Sequence, residues 1–337
     1  MHDYVNLRKQ LHGISAFPPS VIQHIHNQRW LHLWVPKQYG GLGLAFGEGL
    51  KILRSLALTD GSLGWMVTLC AGANYFSRNL RPEVAKDFFR NPETCFGGSG
   101  MIGGTAEIQK NSYLVNGIWK FATGAPHLSH FTLNAVLTQN GKPVTDENGN
   151  EQIRSFIVPK EMATIIPDWR SMGMRATGTY SFEVNNVVIE AAHSFVYNTF
   201  FTDHLLDRIP FRIFADLTLL VNYVGIALHF AEEAVKIRTQ LDISAFLKYL
   251  ETTEKHIYSH AEKTEHHLVK NEDITEAYTN EVHAFGENAV KGLSVKILEL
   301  YLQLGIRGSQ CNEPVHQVYC DFFTITQHAN FRTPYGS

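Results

Sequence analysis

The sequence has little cysteine and no excess of charge of either sign, and each shortage excludes a class of protein. Four cysteines among 337 residues, none in a CxxC pair, are too few for a disulfide framework, so we expect reduced thiols. A formal net charge of -3, without any lysine or arginine run, gives no field for nucleic acid or an anionic membrane. The N-terminus lacks the charged and apolar regions of a signal peptide. We therefore expect a cytoplasmic protein with no nucleic-acid or membrane partner.

Long hydrophobic runs and metal-ligand spacings are also missing. The apolar stretch 217–226 is interrupted by Asn222 and is shorter than the roughly 20 residues that cross a bilayer. The pairs His24/His26 and His266/His267 lack the i, i+4 spacing of a helical zinc site, so we expect no metal. What remains is an ordinary globular composition, 44% hydrophobic and 18% charged, long enough for two or three structural units.

The hydrophobic period changes twice along the chain. Apolar side chains fall at helical spacing up to about residue 86, whereas the segment 94–195 is rich in alternating, β-branched and aromatic residues. The helical period then returns, with an apolar seam from Phe214 to Val235 that needs partner helices. The sequence thus predicts an N-terminal helical domain (1–93), a central β-rich domain (94–198) and a C-terminal four-helix bundle (199–337).

A bend of small residues follows the most strand-like segment. The run 113–121 is broken only by Asn116-Gly117, a dipeptide typical of a tight turn, so we expect a hairpin there. The segment 122–126 (ATGAP) then predicts a bend where a backbone approaches a flat ligand with no Cβ in the way.

Several motifs, in their order and spacing, resemble the acyl-CoA dehydrogenase superfamily. The segment 34–43 (WVPKQYGGLG) is similar to the motif that opens the family's helical domain, and the bend after Phe121 resembles the strand that ends against the flavin ring. The segment 169–179 (WRSMGMRATGT) and the C-terminal segments 300–305 and 324–329 resemble the two-component flavin monooxygenases, such as the oxygenase of 4-hydroxyphenylacetate hydroxylase. The resemblance spans nearly the whole chain. It implies an α+β fold in which the central domain is a β-barrel.

The resemblance implies a flavin cofactor, FAD or alternatively FMN. Glutamine and cysteine, Gln317 and Cys320, stand where relatives carry arginines for the cofactor phosphates, which favours reduced dinucleotide affinity or FMN. The acidic residue expected after Thr105 is missing, which puts contact with a thioester substrate in question. Without the resemblance, a plain turn at Thr123 and a buried Trp169 explain those residues as structural. The candidates for the cofactor are Phe121, Thr123, Gly124, Trp169, Arg175 and Thr177, and those for the substrate are Gly98, Ser99 and Thr105.

The catalytic glutamate of the dehydrogenases cannot be placed. The last helix reads Thr326-Gln327-His328-Ala329 at the usual position, and the alternative position corresponds to Thr218. His328 is therefore the catalytic candidate, since an imidazole near the flavin can act as a base on a phenol or stabilise a flavin–oxygen adduct. The helical spacing is also compatible with a solvated polar face formed by Gln317, Asp321, Thr324 and His328.

Two activities and one inactive alternative follow from the resemblance. We expect a flavin-dependent oxidoreductase, either an acyl-CoA dehydrogenase or a reduced-flavin monooxygenase, and the missing glutamate favours the second. Because the family's acidic residue after Thr105 and its phosphate-binding arginines are missing, the alternative is a catalytically degenerate relative that binds flavin or an acyl ligand. The partners implied are an acyl-CoA or aromatic substrate, a flavin reductase or an electron-transfer flavoprotein, and further copies of the chain in a homodimer or homotetramer.

Overall fold

The computed structural model describes residues 2–202 and 204–332, in which helices precede and follow one group of strands. The helices are α1 (His2–Leu11), α2 (Pro19–Asn27), α3 (Phe46–Thr59), α4 (Gly61–Asn74), α5 (Pro82–Phe88), α6 (Phe211–Ile237), α7 (Ser244–Val269), α8 (Glu276–Tyr301) and α9 (Pro314–Ile325). The strands are β1 (Phe96–Ile108), β2 (Ser112–Ala122), β3 (His130–Gln139), β4 (Lys142–Pro143), β5 (Ile153–Pro159), β6 (Thr164–Ile166), β7 (Tyr180–Glu190) and β8 (Ser194–Phe195).

The strands form an open mixed sheet, so the predicted β-barrel is wrong. Their order is β6-β7-β2-β1-β3-β5-β8, with β4 paired to β3. Strands β1 and β3 run parallel, and the other pairs are antiparallel. The edge strands β6 and β8 hold only three and two residues and do not pair with each other in the described part of the chain. Edges this short offer too few hydrogen bonds to close a barrel.

The Asn116-Gly117 pair lies inside strand β2, so the turn predicted there is also wrong. The pairing of β2 with β7 shifts register at this point, which is a β-bulge. A Cβ on Gly104 of β1 would lie 2.1 Å from the carbonyl oxygen of Asn116, so the glycines serve the close approach of two backbones. The hairpin turn between β1 and β2 lies earlier, where the N–H of Gln109 donates to the carbonyl of Ser112 at 2.9 Å.

Helix α6 is the central helix of the protein. It packs against α3 and α4 as well as α7, α8 and α9, so the helices from both ends of the chain form one body. The predicted boundaries at residues 93 and 198 therefore stay predictions. Helix α6 is long and apolar enough to cross a membrane by length and composition, but 89% of its most apolar window is buried inside the protein.

Helix α4 brings the helical body onto the sheet. Its sequence, GSLGWMVTLCAGAN, carries small or apolar residues on every side, and it is buried almost throughout. A Cβ on Gly64 would lie 2.4 Å from the Cα of Ala57, so glycine permits the close packing of α3 against α4. The opposite side of α4 faces β1, the turn at 175–177 and α9, and a cavity lies between these elements.

Candidate active site

A cavity of about 1040 Å³ lies between the sheet, helices α4 and α6, and the segment after α9. This volume is at the upper end of the roughly 300 to 1,000 Å³ that small-molecule sites occupy. No aspartate or glutamate lines it among the residues that the structure describes. The predicted residues that line it are Gly98, Ser99, Phe121, Thr123, Trp169 and His328.

Phe121 faces the cavity with a left-handed backbone. Its φ is 64°, and its side chain is 59% exposed. A non-glycine residue in this conformation costs on the order of 1 to 3 kcal/mol, and such residues cluster at ligand sites. The register shift between Trp119 and Ala122 in the β2–β7 pairing accommodates it, so Trp119 stays in the core while Phe121 turns outward.

Three threonine hydroxyls beside Phe121 form a directed chain. Thr177 Oγ1 donates to the carbonyl of Met174 at 2.8 Å, and it lies 2.7 Å from Thr179 Oγ1. Thr179 must therefore donate to Thr177. Thr179 Oγ1 lies 3.1 Å from Thr123 Oγ1, so Thr123 donates to Thr179. The lone pairs of the Thr123 hydroxyl remain free to accept a hydrogen bond from a ligand.

The other predicted residues lie outside the cavity. Gly124, at φ 79°, donates its N–H to the carbonyl of Thr177 at 2.8 Å, and Thr177 is buried behind Thr179. Arg175 is exposed on the same turn. Thr105 is exposed about 20 Å further along β1 than Gly98, because a strand advances roughly 3.3 Å per residue.

His328 lines the cavity as a neutral ring. Burial lowers its pKa to about 4, and the ring meets Trp65 edge-on with centroids 5.3 Å apart. Its Nδ1 accepts the backbone N–H of Asn330 at 3.3 Å, which places the proton of the neutral ring on Nε2. Within residues 2–202 and 204–332, no hydrogen bond to Nε2 is found. In this tautomer His328 is a hydrogen-bond donor.

Asp216 in α6 holds the segment that carries His328. Its carboxylate is 1% exposed, and it accepts from Asn330 Nδ2 at 2.7 Å and from His283 Nδ1 at 3.2 Å. Burial raises the pKa of Asp216, and the bonds from Asn330 and His283 oppose that shift. Sequence reasoning missed this residue, although a carboxylate within the apolar α6 seam is itself a signal of a buried interaction.

The polar face of α9 packs against the turn before β7. Asp321 accepts from the backbone N–H of Met174, and Thr324 Oγ1 accepts that of Gly173 at 3.0 Å. A Cβ on Gly173 would lie 2.2 Å from the backbone carbonyl of Cys320. Asp321 and Thr324 therefore do not form a solvated face, because they fix the turn whose residue Met174 lines the cavity.

The carboxyl groups of Asp60 and Asp321 are buried neighbours. Burial, together with the negative charge of Asp60, raises the pKa of Asp321 to about 8. Burial also raises the pKa of Asp60. Asp60 Oδ1 caps α4 by accepting from Leu63 N–H at 2.9 Å, and its Oδ2 accepts from Gln317 at 3.3 Å. The pair therefore retains a proton at neutral pH.

We expect Asp321→Asn to weaken the pH dependence of stability. Since the pKa of Asp321 is higher in the folded protein than in the unfolded chain, the folded state keeps a proton that the unfolded chain releases from about pH 4 upward. Stability is then lost as the pH rises toward 8, by about 1.4 kcal/mol for each pH unit between the two pKa values. Urea unfolding at pH 5, 6.5 and 8 should show a smaller loss in the variant. Exposed Asp273→Asn is the control, and parallel curves for wild type and Asp321→Asn would contradict the assignment.

Comparison with known proteins finds relatives of low sequence identity. No protein-family model matches the chain. It is 22% identical over 315 residues to an indole-3-acetate monooxygenase of Pseudomonas putida, covering 88% of this chain and 79% of that protein. It is 26% identical over 195 residues to HsaA, the oxygenase subunit of a flavin-dependent monooxygenase of Mycobacterium tuberculosis, covering 57% of this chain but 47% of the subunit.

Solved structures resemble the chain along almost its whole length. The HsaA monooxygenase of M. tuberculosis has a TM-score of 0.88 at 18% identity, covering 98% of this chain and 92% of that one. XiaF from a Streptomyces species, in complex with FADH2 and glycerol, has a TM-score of 0.84 at 18% identity, covering 98% of this chain and 88% of that one. TdsC from a Paenibacillus species, in complex with FMN and indole, has a TM-score of 0.79 at 19% identity, covering 96% of this chain and 91% of that one. The chain thus has the fold of the HsaA, XiaF and TdsC structures, and the resemblance to flavin-dependent monooxygenases is confirmed.

Proposed function

We propose that this protein is the oxygenase component of a two-component flavin-dependent monooxygenase that hydroxylates an aromatic substrate. The absence of a carboxylate from the described lining of the cavity carries this proposal. An acyl-CoA dehydrogenase needs such a base to remove the proton next to a thioester. The names of the relatives in sequence and in structure support the same choice.

The residues at the cavity suit a reduced flavin. Phe121 and Trp169 supply flat apolar surface, and Trp169 is fixed because its Nε1 donates to the carbonyl of Met174 at 2.9 Å. A reduced flavin ring carries an N–H where the oxidised ring carries a bare nitrogen, so the accepting hydroxyl of Thr123 matches the reduced form. We propose FAD as the cofactor and FMN as the alternative, since the similar structures contain one or the other.

A bound reduced flavin supplies the activation of oxygen, and the chain supplies its surroundings. His328 offers an N–H to negative charge that develops in the cavity, while Trp65 and Ile325 supply apolar surface beside it. Asp216 keeps Asn330 in place, and Asn330 keeps the proton of His328 on Nε2. We assign His328 a donor role on these contacts.

The test supplies reduced FAD or FMN from a separate NADH-dependent flavin reductase, with oxygen and indole as the aromatic probe. We expect a hydroxylated product whose oxygen atom comes from ¹⁸O₂. Reduction of bound flavin by an acyl-CoA without oxygen would support the dehydrogenase instead. Binding of flavin without either reaction, over a panel of aromatic and acyl-CoA substrates, would support the degenerate alternative.

We also propose a cytoplasmic homodimer or homotetramer. The end of α8 and the residues after it expose four large apolar side chains, Val295, Leu298, Leu302 and Ile306, at 51%, 43%, 74% and 83% exposure. Exposed apolar side chains that cluster on a surface are typical of a protein interface. A mass near 38.0 kDa in light scattering, which is that of one chain, would contradict it.

A further inference from the structure

Four polar side chains stand at the sheet side of the cavity, and we call them the polar end: Thr132, Asn134, Ser155 and Tyr197. Thr132 and Asn134 alternate with apolar Phe131 and Leu133 along β3, and Ser155 is the direct partner of Asn134 on β5. Thr132, Asn134 and Ser155 are all buried. Burying polar groups costs free energy unless they find partners, so the atoms here that lack a partner within the protein favour a bound polar group.

The hydrogen bonds of the polar end leave a defined set of free atoms. Ser155 Oγ donates to Asn134 Oδ1 at 2.7 Å, and Asn134 Nδ2 donates to the carbonyl of Gly100 at 2.9 Å. The lone pairs of Ser155 Oγ thus remain available. The phenol oxygen of Tyr197 lies 3.4 Å from Asn134 Nδ2 and 3.5 Å from Asn134 Oδ1, at the long limit for a hydrogen bond, so both contacts compete only weakly with a ligand. Thr132 Oγ1 has no hydrogen bond in the described part of the chain.

These free atoms donate and accept without carrying charge. Burial raises the pKa of Tyr197, so its phenol stays protonated and donates. Among the described residues, one lysine or arginine lines the cavity, and this residue, Arg332, is exposed. It follows Asn330, which is bound to Asp216 of α6, and Phe331, which packs on Gly286 of α8. Arg332 therefore belongs to the helical side of the cavity and not to the polar end.

Flat rings surround the polar end. The rings of Phe76 and Tyr197 are stacked with centroids 5.0 Å apart and planes 5° apart, and Phe195 and Phe211 lie 4.7 and 5.0 Å from Phe76. A planar apolar molecule matches this wall. A carboxylate placed among these rings would lose its water without gaining a cation, which costs several kcal/mol.

We propose that the polar end selects an uncharged substrate with a hydroxyl group on its aromatic ring system, and that it excludes carboxylates. Tyr197 donates to the hydroxyl oxygen, and Ser155 accepts the hydroxyl proton. This inference rests on the proposed function and names the substrate class of the same site. It sets this chain apart from the relative that is named for indole-3-acetate, which is an acid.

Binding of three matched probes tests the selection: 2-naphthol, naphthalene and 2-naphthoate. Titration of the purified protein is followed through its tryptophan fluorescence, because Trp65 lines the cavity, and by calorimetry. At pH 7.5 we expect 2-naphthol to bind about tenfold more tightly than naphthalene, since one net hydrogen bond contributes about that factor. We expect 2-naphthoate to bind at least about 100-fold more weakly than 2-naphthol.

Tyr197→Phe should remove most of the preference for 2-naphthol over naphthalene and leave the affinity for naphthalene unchanged. Tyr301→Phe is the matched control, since Tyr301 stacks on Tyr319 outside the cavity. Equal binding of 2-naphthoate and 2-naphthol, no binding of either neutral probe, or an unchanged preference in folded Tyr197→Phe would overturn the proposal. These titrations need no turnover, so the selectivity can fail while ¹⁸O incorporation succeeds, and the reverse.

Discussion

Replacement of His328 by alanine should lower hydroxylation by about 10² to 10⁴-fold, the contribution of one positioned acid–base or donor group. Affinity for reduced flavin should change little, because Phe121, Thr123 and Trp169 are untouched. The physical reason is the loss of an N–H that lines the cavity on a ring fixed by Asn330 and Trp65. Product formation and flavin affinity are measured on the same preparations.

A second substitution separates donation from basicity at this position. His328→Gln keeps an N–H donor but cannot take up a proton, so it should recover part of the activity that His328→Ala loses. Exposed His266→Ala on α7 is the control for general effects of removing an imidazole. Wild-type turnover in folded His328→Ala would refute the catalytic assignment and leave the fold and the flavin proposal standing. Equal loss in both His328 variants would refute the donor role.

Gly98→Ala should destabilise the protein by about 1 to 3 kcal/mol or more, the range for overpacking a core, and should lower flavin binding with it. A Cβ on Gly98 would lie 1.8 Å from the carbonyl oxygen of Thr132, so the parallel strands β1 and β3 have to separate at the cavity wall. Backbone atoms cannot turn aside as a flexible side chain can. Thermal and urea unfolding, with flavin titration, measure both effects.

Gly100 provides the matched control for Gly98. It lies two residues further along β1 and lines the same cavity, but a Cβ there meets no atom within 4 Å. We expect Gly100→Ala to stay within about 0.5 kcal/mol of the wild type. Similar stability of the two variants would show that β1 and β3 are less tightly fixed at the cavity than the structure indicates.

The sequence predicted those parts of the fold that depend on local pattern. The apolar seam from Phe214 to Val235 lies within α6, and the alternating segment before Glu190 forms β7. Closure of the sheet was predicted wrongly. It depends on whether the edge strands β6 and β8 pair with each other, and the hydrophobic period within one strand does not predict which strands pair. The Asn116-Gly117 turn failed for a related reason: a Cβ on Gly117 would lie 2.6 Å from the Cα of Gly104 on the neighbouring strand β1, and no local pattern describes such a contact between strands.

The candidate site was predictable where a motif marks it and not where distant residues meet. The bend at Thr123 and the position of His328 were found from the motifs, and both line the cavity. Asp216, Asn134 and Ser155 were missed because each acts through a partner on another element. Their signal is nonetheless present in the sequence, since each is a polar residue in a segment whose pattern predicts burial.

The contacts of α9 also determine when the site can exist during synthesis. Asp60 and Gln317 are 257 residues apart in the chain, and the cap of the α4 helix meets α9 through this pair. His328 and Asn330 follow α9 and reach back to Trp65 and Asp216. A nascent chain that has emerged only as far as α8 can form the sheet and the first helices, but it lacks the wall that carries His328. Until α9 and the segment after it have folded onto α4 and α6, the cavity is a half-open apolar surface that bulk water can enter.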